Sequence, residues 1–276
     1  MMRKWFILLL SGLCSACVNK DTGTLRPRLD VGDFSKFEET DNIKPGSQSF
    51  VADPLGSGGV VESFYIDGTS CQGNDCQYNS VRSSVTTNIW DDPRPKTITS
   101  PKQAWYSFEI YFPNDFPYGF EQQKGSYIFT EFKESNECAS FYFSHVNGYN
   151  DSSFFLYLAE FTGGRDARFR NAPEECISYL EAKVGDMDDM RGKWTRFEYY
   201  VRWSENDDGL IEVYRDGKNV LIHNGRNCRK IQNCLSRNLH YYGIYKPNNE
   251  VLSGVVPATV FYRNVSMSQT RDELTR

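Results

Sequence analysis

From about residue 55 the chain carries a succession of short runs in which apolar residues tend to alternate with others, set between turn residues such as glycine, asparagine, aspartate and proline. VVESFYI (60–66), NSVRSSVTT (79–87), AWYSFEIYF (104–112), SYIFTEFKE (126–134), CASFYFSHV (138–146), SSFFLYLAEF (152–161), HYYGIYK (240–246) and ATVFYRNVSMS (258–268) share this form. A period of two sends alternate side chains to opposite faces of a strand, and β-branched and aromatic residues suit a half-buried pleated surface. A long succession of such strands buries its apolar faces by packing two sheets together, so the expected fold is all-β, one large sandwich of the jelly-roll kind. Only APEECISYLEAKV (172–184) reads as a helix, and VGDMDDMRG (184–192) reads as a solvated acidic loop.

The segment WTRFEYYVRWSENDDGLIEVYRDGKNVLIHNG (194–225) predicts a three-stranded meander. Asn-Asp-Asp-Gly and Asp-Gly supply its turns, because these residues tolerate positive φ. Phe197, Tyr199, Val201 and Trp203 should face the core, with Arg196, Glu198, Tyr200 and Arg202 opposite.

The N-terminus has another character. MMRKWFILLLSGLCSAC carries two basic residues, an apolar run and then small residues, the order of a secretory signal too short to serve as a permanent membrane span. Ala16-Cys17 looks like the lipobox of bacterial lipoproteins, with lipid attachment expected at Cys17. Residues 1–16 are read as signal peptide, 17–55 as a polar, lipid-anchored linker and 56–270 as the folded domain. The expected location is the bacterial cell envelope, with the membrane as a partner through the anchor. Loss of Arg3 and Lys4 with the signal takes the formal charge from −5 to −7. With no basic run to compensate, nucleic acid is not an expected partner, although a local basic groove can still hold a polyanion.

Besides Cys14 and Cys17 there are Cys71, Cys76, Cys138, Cys176, Cys228 and Cys234. An even set in an exported chain reads as disulfides. Short spacing favours Cys71–Cys76 and Cys228–Cys234, with Cys138–Cys176 left over, and the connectivity stays open. No CxxC or histidine cluster accompanies them, so no metal is expected, and no cofactor.

Three stretches together resemble the heparin lyase I-like polysaccharide lyases and the related alginate and glucuronan lyases. They are WYSFEIYFPNDFP (105–117), GKWTRFEYYVRWSENDDGLIEVYRDGK (192–218) and YYGIYK (241–246). The resemblance implies a concanavalin A-like jelly roll of two antiparallel sheets, one of them concave. It also implies cleavage of an acidic, uronate-containing polysaccharide by β-elimination. That chemistry needs a group to quench the uronate carboxylate, a base to take the C5 proton and an acid to protonate the departing oxygen.

By match to the family motif, Tyr245 is the acid/base. Alternation puts Tyr241, Gly243 and Tyr245 on one face, where Gly243 leaves space for a sugar ring. Where related enzymes carry Gln-x-His, this chain has Glu131-Phe132-Lys133, and Tyr241 stands where they carry a lysine. Lys133 is then the candidate carboxylate partner, with Arg82 and His145 as further candidates and Tyr241, Glu131 and Lys246 as substrate contacts. For Arg82 a solvated strand face or a partner for an acidic neighbour, and for His145 a hydrogen-bonded strand histidine, are the plain structural alternatives. Lys246 and His240 face away from Tyr245 by simple alternation, and His223 ends a hairpin strand.

The sequence has no GxSxG, HExxH, phosphate loop or EF-hand loop. Glu109, Glu131 and Glu198 form no tight acidic pair for glycoside hydrolysis. Two other functions stand beside a lyase: a non-catalytic carbohydrate-binding envelope lipoprotein on the same sandwich, and a structural lipoprotein that contacts other proteins.

Overall fold

The computed structural model describes residues 36–39, 44–88, 102–117, 125–133, 139–147, 152–161, 176–228, 239–247, 249 and 251–275. The strands are β1 (Lys36–Glu39), β2 (Gln48–Ala52), β3 (Val60–Ile66), β4 (Val81–Asn88), β5 (Gln103–Tyr111), β6 (Gly125–Lys133) and β7 (Phe141–Asn147). They continue as β8 (Ser153–Phe161), β9 (Cys176–Asp186), β10 (Trp194–Arg202), β11 (Leu210–Arg215), β12 (Lys218–Asn224), β13 (Leu239–Lys246) and β14 (Ala258–Ser268). One antiparallel sheet has the order β1-β4-β13-β6-β7-β8-β9, and the other has the order β12-β11-β10-β5-β14-β3-β2. The expected two-sheet sandwich is thus the fold.

The meander forms as read: β10 pairs with β11 and β11 with β12, with Asp216 at φ 49° and Gly217 at φ 77° in the second turn. Phe197, Tyr199, Val201 and Trp203 are all buried. They join Phe108, Phe143 and Phe154 between the sheets, with ring centroids 5.3–6.1 Å apart among Phe108, Phe143, Phe154, Phe197 and Tyr199, mostly edge-on or tilted and stacked for Phe143 and Phe154. Each such side chain contributes about 1.5–3 kcal/mol through burial, which makes this aromatic layer the main cohesive element.

Three expectations need correction. Residues 176–184, within the expected helix, lie in β9, which pairs with β8 along its length. Leu180, Glu181, Ala182 and Lys183 favour helix locally, but Val184 is buried and Leu180 packs on the core while Glu181 and Lys183 are exposed, the pattern of an edge strand. The polar stretch 17–55 is not all tether, since β1 pairs with β4 and β2 with β3. The acidic loop contains a turn of helix, α2 (Met187–Met190), capped by the Asp186 carboxylate and anchored by buried Met187 and Met190.

Cys71 and Cys76 are disulfide-bonded as expected, and Cys228 is also in a disulfide. Cys14, Cys17, Cys138 and Cys234 lie outside the described residues, as do the side chain of Cys176 and the N-terminal signal and anchor.

Two bulges bend the middle of the first sheet. The β6–β7 register shifts between Ile128 and Thr130, and the β13–β6 register shifts between Tyr242 and Tyr245. A bulge turns carbonyls out of the ladder, and here one hydroxyl from the opposite sheet meets both: Tyr262 Oη lies 2.7 Å from Phe129 O and 2.9 Å from Gly243 O. Tyr262→Phe leaves these buried acceptors without that donor. It should lower unfolding stability by about 1–3 kcal/mol, read as a shift in the urea midpoint. An unchanged midpoint would mean that the bulges hold without it.

The outer face of the second sheet carries a chain of alternating charges. Arg263 bridges Asp53 and Glu109, Arg196 bridges Glu109 and Glu198, and Arg271 ends the chain on Glu198. Arg271 belongs to the C-terminal 3-10 turn Arg271–Thr275, which packs back on this face.

Candidate active site

β13 has β4 on one side and β6 on the other, and its alternation sorts its side chains. His240, Tyr242, Ile244 and Lys246 are buried on the inner face, while Tyr241, Gly243 and Tyr245 line a hollow on the outer one. Register then brings the candidates together. Tyr245 is the cross-strand partner of Arg82 on β4, and Tyr241 is that of Glu131 on β6. Ser84 and Glu131 also line the hollow.

Arg82 is the hub, and it is buried as a partner of acidic neighbours rather than on a solvated face. Its Nε donates to Asp75 Oδ2 at 3.1 Å and its Nη1 to Glu131 Oε1 at 3.1 Å. Its Cζ sits 3.7 Å from the centroid of the Tyr245 ring, a stacked cation–π contact. Nη2 meets no hydrogen-bond acceptor among the described residues. Burial works against the guanidinium charge, but Tyr245, Glu131 and Asp75 outweigh it, and the group stays firmly protonated.

Burial pushes the Tyr245 hydroxyl above its ordinary range, and Arg82 pulls it back in part. Asp75 and Glu131 add to the upward push, while a hydrogen bond from Ser80 works with Arg82. Burial, with Glu131 adding to it and Arg82 opposing, takes Tyr241 up to about 12. The site therefore holds a phenol beside a fixed cation whose charge is already shared by two carboxylates.

The other candidates separate. Lys133 ends β6 opposite Leu239, and its side chain lies outside the described residues. His145 does not reach the hollow: it follows Phe141 and Phe143 onto the inner face, fully buried, with Nδ1 2.9 Å from Ser153 O. Lys246 also turns inward, as alternation predicts, and is therefore no outer-face substrate contact. Its Nζ lies 4.8 Å from the centroid of the Tyr127 ring, and burial lowers it to about 8. His240 is likewise interior, bonded at Nε2 to Thr130 and Tyr199, each at 2.8 Å, and burial lowers it to about 3.

Gly243 has a further role beyond leaving room for a ring. A Cβ there would lie 2.3 Å from Ser83 O and 2.6 Å from Ser84 Cα, and its φ is +138°. It is glycine because β4 and β13 approach too closely for any side chain.

Two contributors escaped the sequence reading, Asp75 and Ser80. The signal was present in CQGNDCQYNSVR (71–82), where a short cysteine-closed loop holding one acid immediately precedes the strand that carries Arg82. No cluster of three or more His, Cys, Asp or Glu side chains suited to a metal occurs among the described residues.

A sandwich of two seven-stranded sheets with a phenol, a guanidinium and a carboxylate gathered on one outer face defines a jelly roll with a polar site. Comparison gives that class a family. The family model described as Polysaccharide lyase matches residues 29–266, and the chain belongs to that family. Among solved structures it is similar to the endo-β-1,4-glucuronan lyase of the fungus Trichoderma reesei, at 16% identity and TM-score 0.56, covering 85% of this chain and 95% of that one. The alginate lyase of Klebsiella pneumoniae is similar at 10% identity and TM-score 0.50, over 83% and 87% of the two chains. A variant of the alginate lyase Aly36B, in complex with an alginate tetrasaccharide, is similar at 11% identity and TM-score 0.50, over 84% and 86%. At such identities these likenesses describe the fold. No curated protein matches the chain.

Proposed function

We propose that this polysaccharide lyase cleaves a uronate-containing glycan by β-elimination on the outer face of the first sheet. The observation that carries the reading is the Arg82–Tyr245 stack at 3.7 Å beside a hollow floored by Gly243 and Tyr241. A uronate carboxylate is received by Arg82 Nη2, which withdraws charge from the ring as C5 loses its proton. The Tyr245 phenolate takes that proton, the electron pair forms the C4=C5 double bond, and the C4–O4 bond breaks. The departing O4 then receives the proton from Tyr245, and the phenolate is restored. Neighbours of the same fold include lyases of glucuronan and alginate, which are polyuronates, and this supports an acidic polysaccharide as substrate.

The test is the ultraviolet absorbance of the unsaturated uronate after incubation with a panel of polyuronates. The pH profile adds a second check. The base is the deprotonated phenol, and its pKa is raised, so only a small fraction is competent near neutrality. Each rise in pH enlarges that fraction, so kcat/KM should climb in proportion to hydroxide activity between about pH 6 and 9. A flat or falling profile across that window would remove Tyr245 as the base.

One observation favours a second reading. Asp75 and Glu131 both bond to Arg82, which weakens its pull on an incoming anion. A chain that binds glycans without turning them over would give no absorbance change and would bind equally well as Tyr245→Phe.

A further inference from the structure

Asp75 has no place in the elimination as written, and on charge alone it opposes it. A carboxylate against Arg82 weakens the attraction for a uronate, so its presence calls for a geometric reason. The fold supplies one. Residues 70–80 form a loop closed by the Cys71–Cys76 disulfide, with a single helical turn, α1 (Asn74–Gln77), inside it. Arg82 N donates to Ser70 O at 2.8 Å and Ser80 N donates to Asp75 O at 2.7 Å, which fixes the loop to the start of β4. Asn249, just beyond β13, donates to Asn79 O from its backbone N at 2.9 Å and from Nδ2 at 2.7 Å. The loop is tied in this way to both strands that carry the Arg82–Tyr245 pair. Between the two cysteines stand only Gln72, Gly73, Asn74 and Asp75, with no apolar side chain to anchor them. The cross-link holds them instead, and it presents Asp75, 7% exposed, to Arg82 Nε.

An arginine side chain is long and readily pivots, but a planar guanidinium held at two separate nitrogens has a defined plane. Glu131 holds Nη1 from β6, and Asp75 holds Nε from the disulfide loop. We propose that Asp75 is a positioning residue for the elimination: held by the Cys71–Cys76 loop, it fixes the guanidinium plane of Arg82 against the Tyr245 ring with Nη2 directed to the uronate carboxylate. This rests on the lyase reading of the site. With Asp75 removed, Arg82 keeps its charge and its bond to Glu131 but pivots about that bond, and the anion is received at the wrong angle.

The experiment compares full-length Asp75→Ala, Asp75→Asn and the Cys71→Ser/Cys76→Ser double variant. Each is measured for kcat and KM by product absorbance and for the arginine Nε–H signals in a proton–nitrogen spectrum, Arg82 being assigned by its absence in Arg82→Lys. Asp75→Ala should lower kcat by about tenfold to a hundredfold with KM within about threefold, the scale of a misaimed group, and should lose the slowly exchanging Arg82 Nε–H signal. Asp75→Asn, whose side-chain carbonyl still accepts from Nε, should recover most of both. The double serine variant should behave as Asp75→Ala does, and the two changes together should cost no more than either alone. Asp75→Ser gives the same comparison if the alanine variant does not fold. A kcat within about threefold of wild type in Asp75→Ala, additive losses, or an Nε–H signal that survives the alanine change would each overturn the proposal. A wild-type chain silent on every polyuronate would defeat the lyase reading instead, and the Nε–H signal alone would then decide the role of Asp75.

Discussion

Tyr245→Phe should lower turnover on a polyuronate by about a hundredfold to ten-thousandfold while leaving the fold in place. Phenylalanine keeps the ring on which Arg82 stacks at 3.7 Å, so the guanidinium retains a face to lie against. The hydroxyl and its hydrogen bond with Ser80 are lost, a change of about 1 kcal/mol in stability at most for a partly accessible group. The effect therefore falls on the proton. With no phenolate to take it from C5 and no phenol to return one to O4, both halves of the reaction fail together. The loss should appear in kcat and kcat/KM alike, with glycan affinity preserved. Single-turnover absorbance with a thermal melt on the same preparation checks it. A variant within about tenfold of wild type would show that the acid/base lies elsewhere.

Gly243→Ala is the change expected to harm the protein most. The obstacles to a Cβ here are backbone, Ser83 O at 2.3 Å and Ser84 Cα at 2.6 Å, which cannot rotate away as a side chain can. The φ of +138° adds the penalty of a conformation that alanine rarely adopts. Strain of about 1–3 kcal/mol and overpacking of about 1–3 kcal/mol combine to a large part of the stability of an ordinary domain. Relief requires β4 and β13 to part, and these strands hold Arg82 opposite Tyr245. Soluble yield and urea midpoint should both fall, and any folded fraction should have lost turnover. A variant of wild-type stability would mean that the sheet relaxes at this point without cost.

The sandwich was legible because its strands combine a period of two with explicit turn chemistry, most fully in the β10–β12 meander. The edges were not. β1, KFEE, and β2, QSFVA, have little apolar alternation because an edge strand buries little, and their sequences look like linker. β9 misled in the opposite sense, its Leu-Glu-Ala-Lys segment having the local preference of a helix that pairing with β8 overrules. In the site, simple alternation was enough to place Tyr241, Gly243 and Tyr245 together and to turn Lys246 away. The same rule, applied from Phe141 and Phe143, would have turned His145 inward. The meeting of Arg82 with Glu131 depends on strand order and on two bulges, neither written in any local pattern. The Cys71–Cys76 pairing was legible, but that it sets Asp75 against Arg82 Nε depends on how the loop folds back on β4.

The row of three acids and three arginines across the second sheet has a consequence at long range. Opposite charges that close together cancel within a Debye length, so this row adds little to the field felt by a drifting polyanion. Salt should therefore change glycan capture little through these six residues.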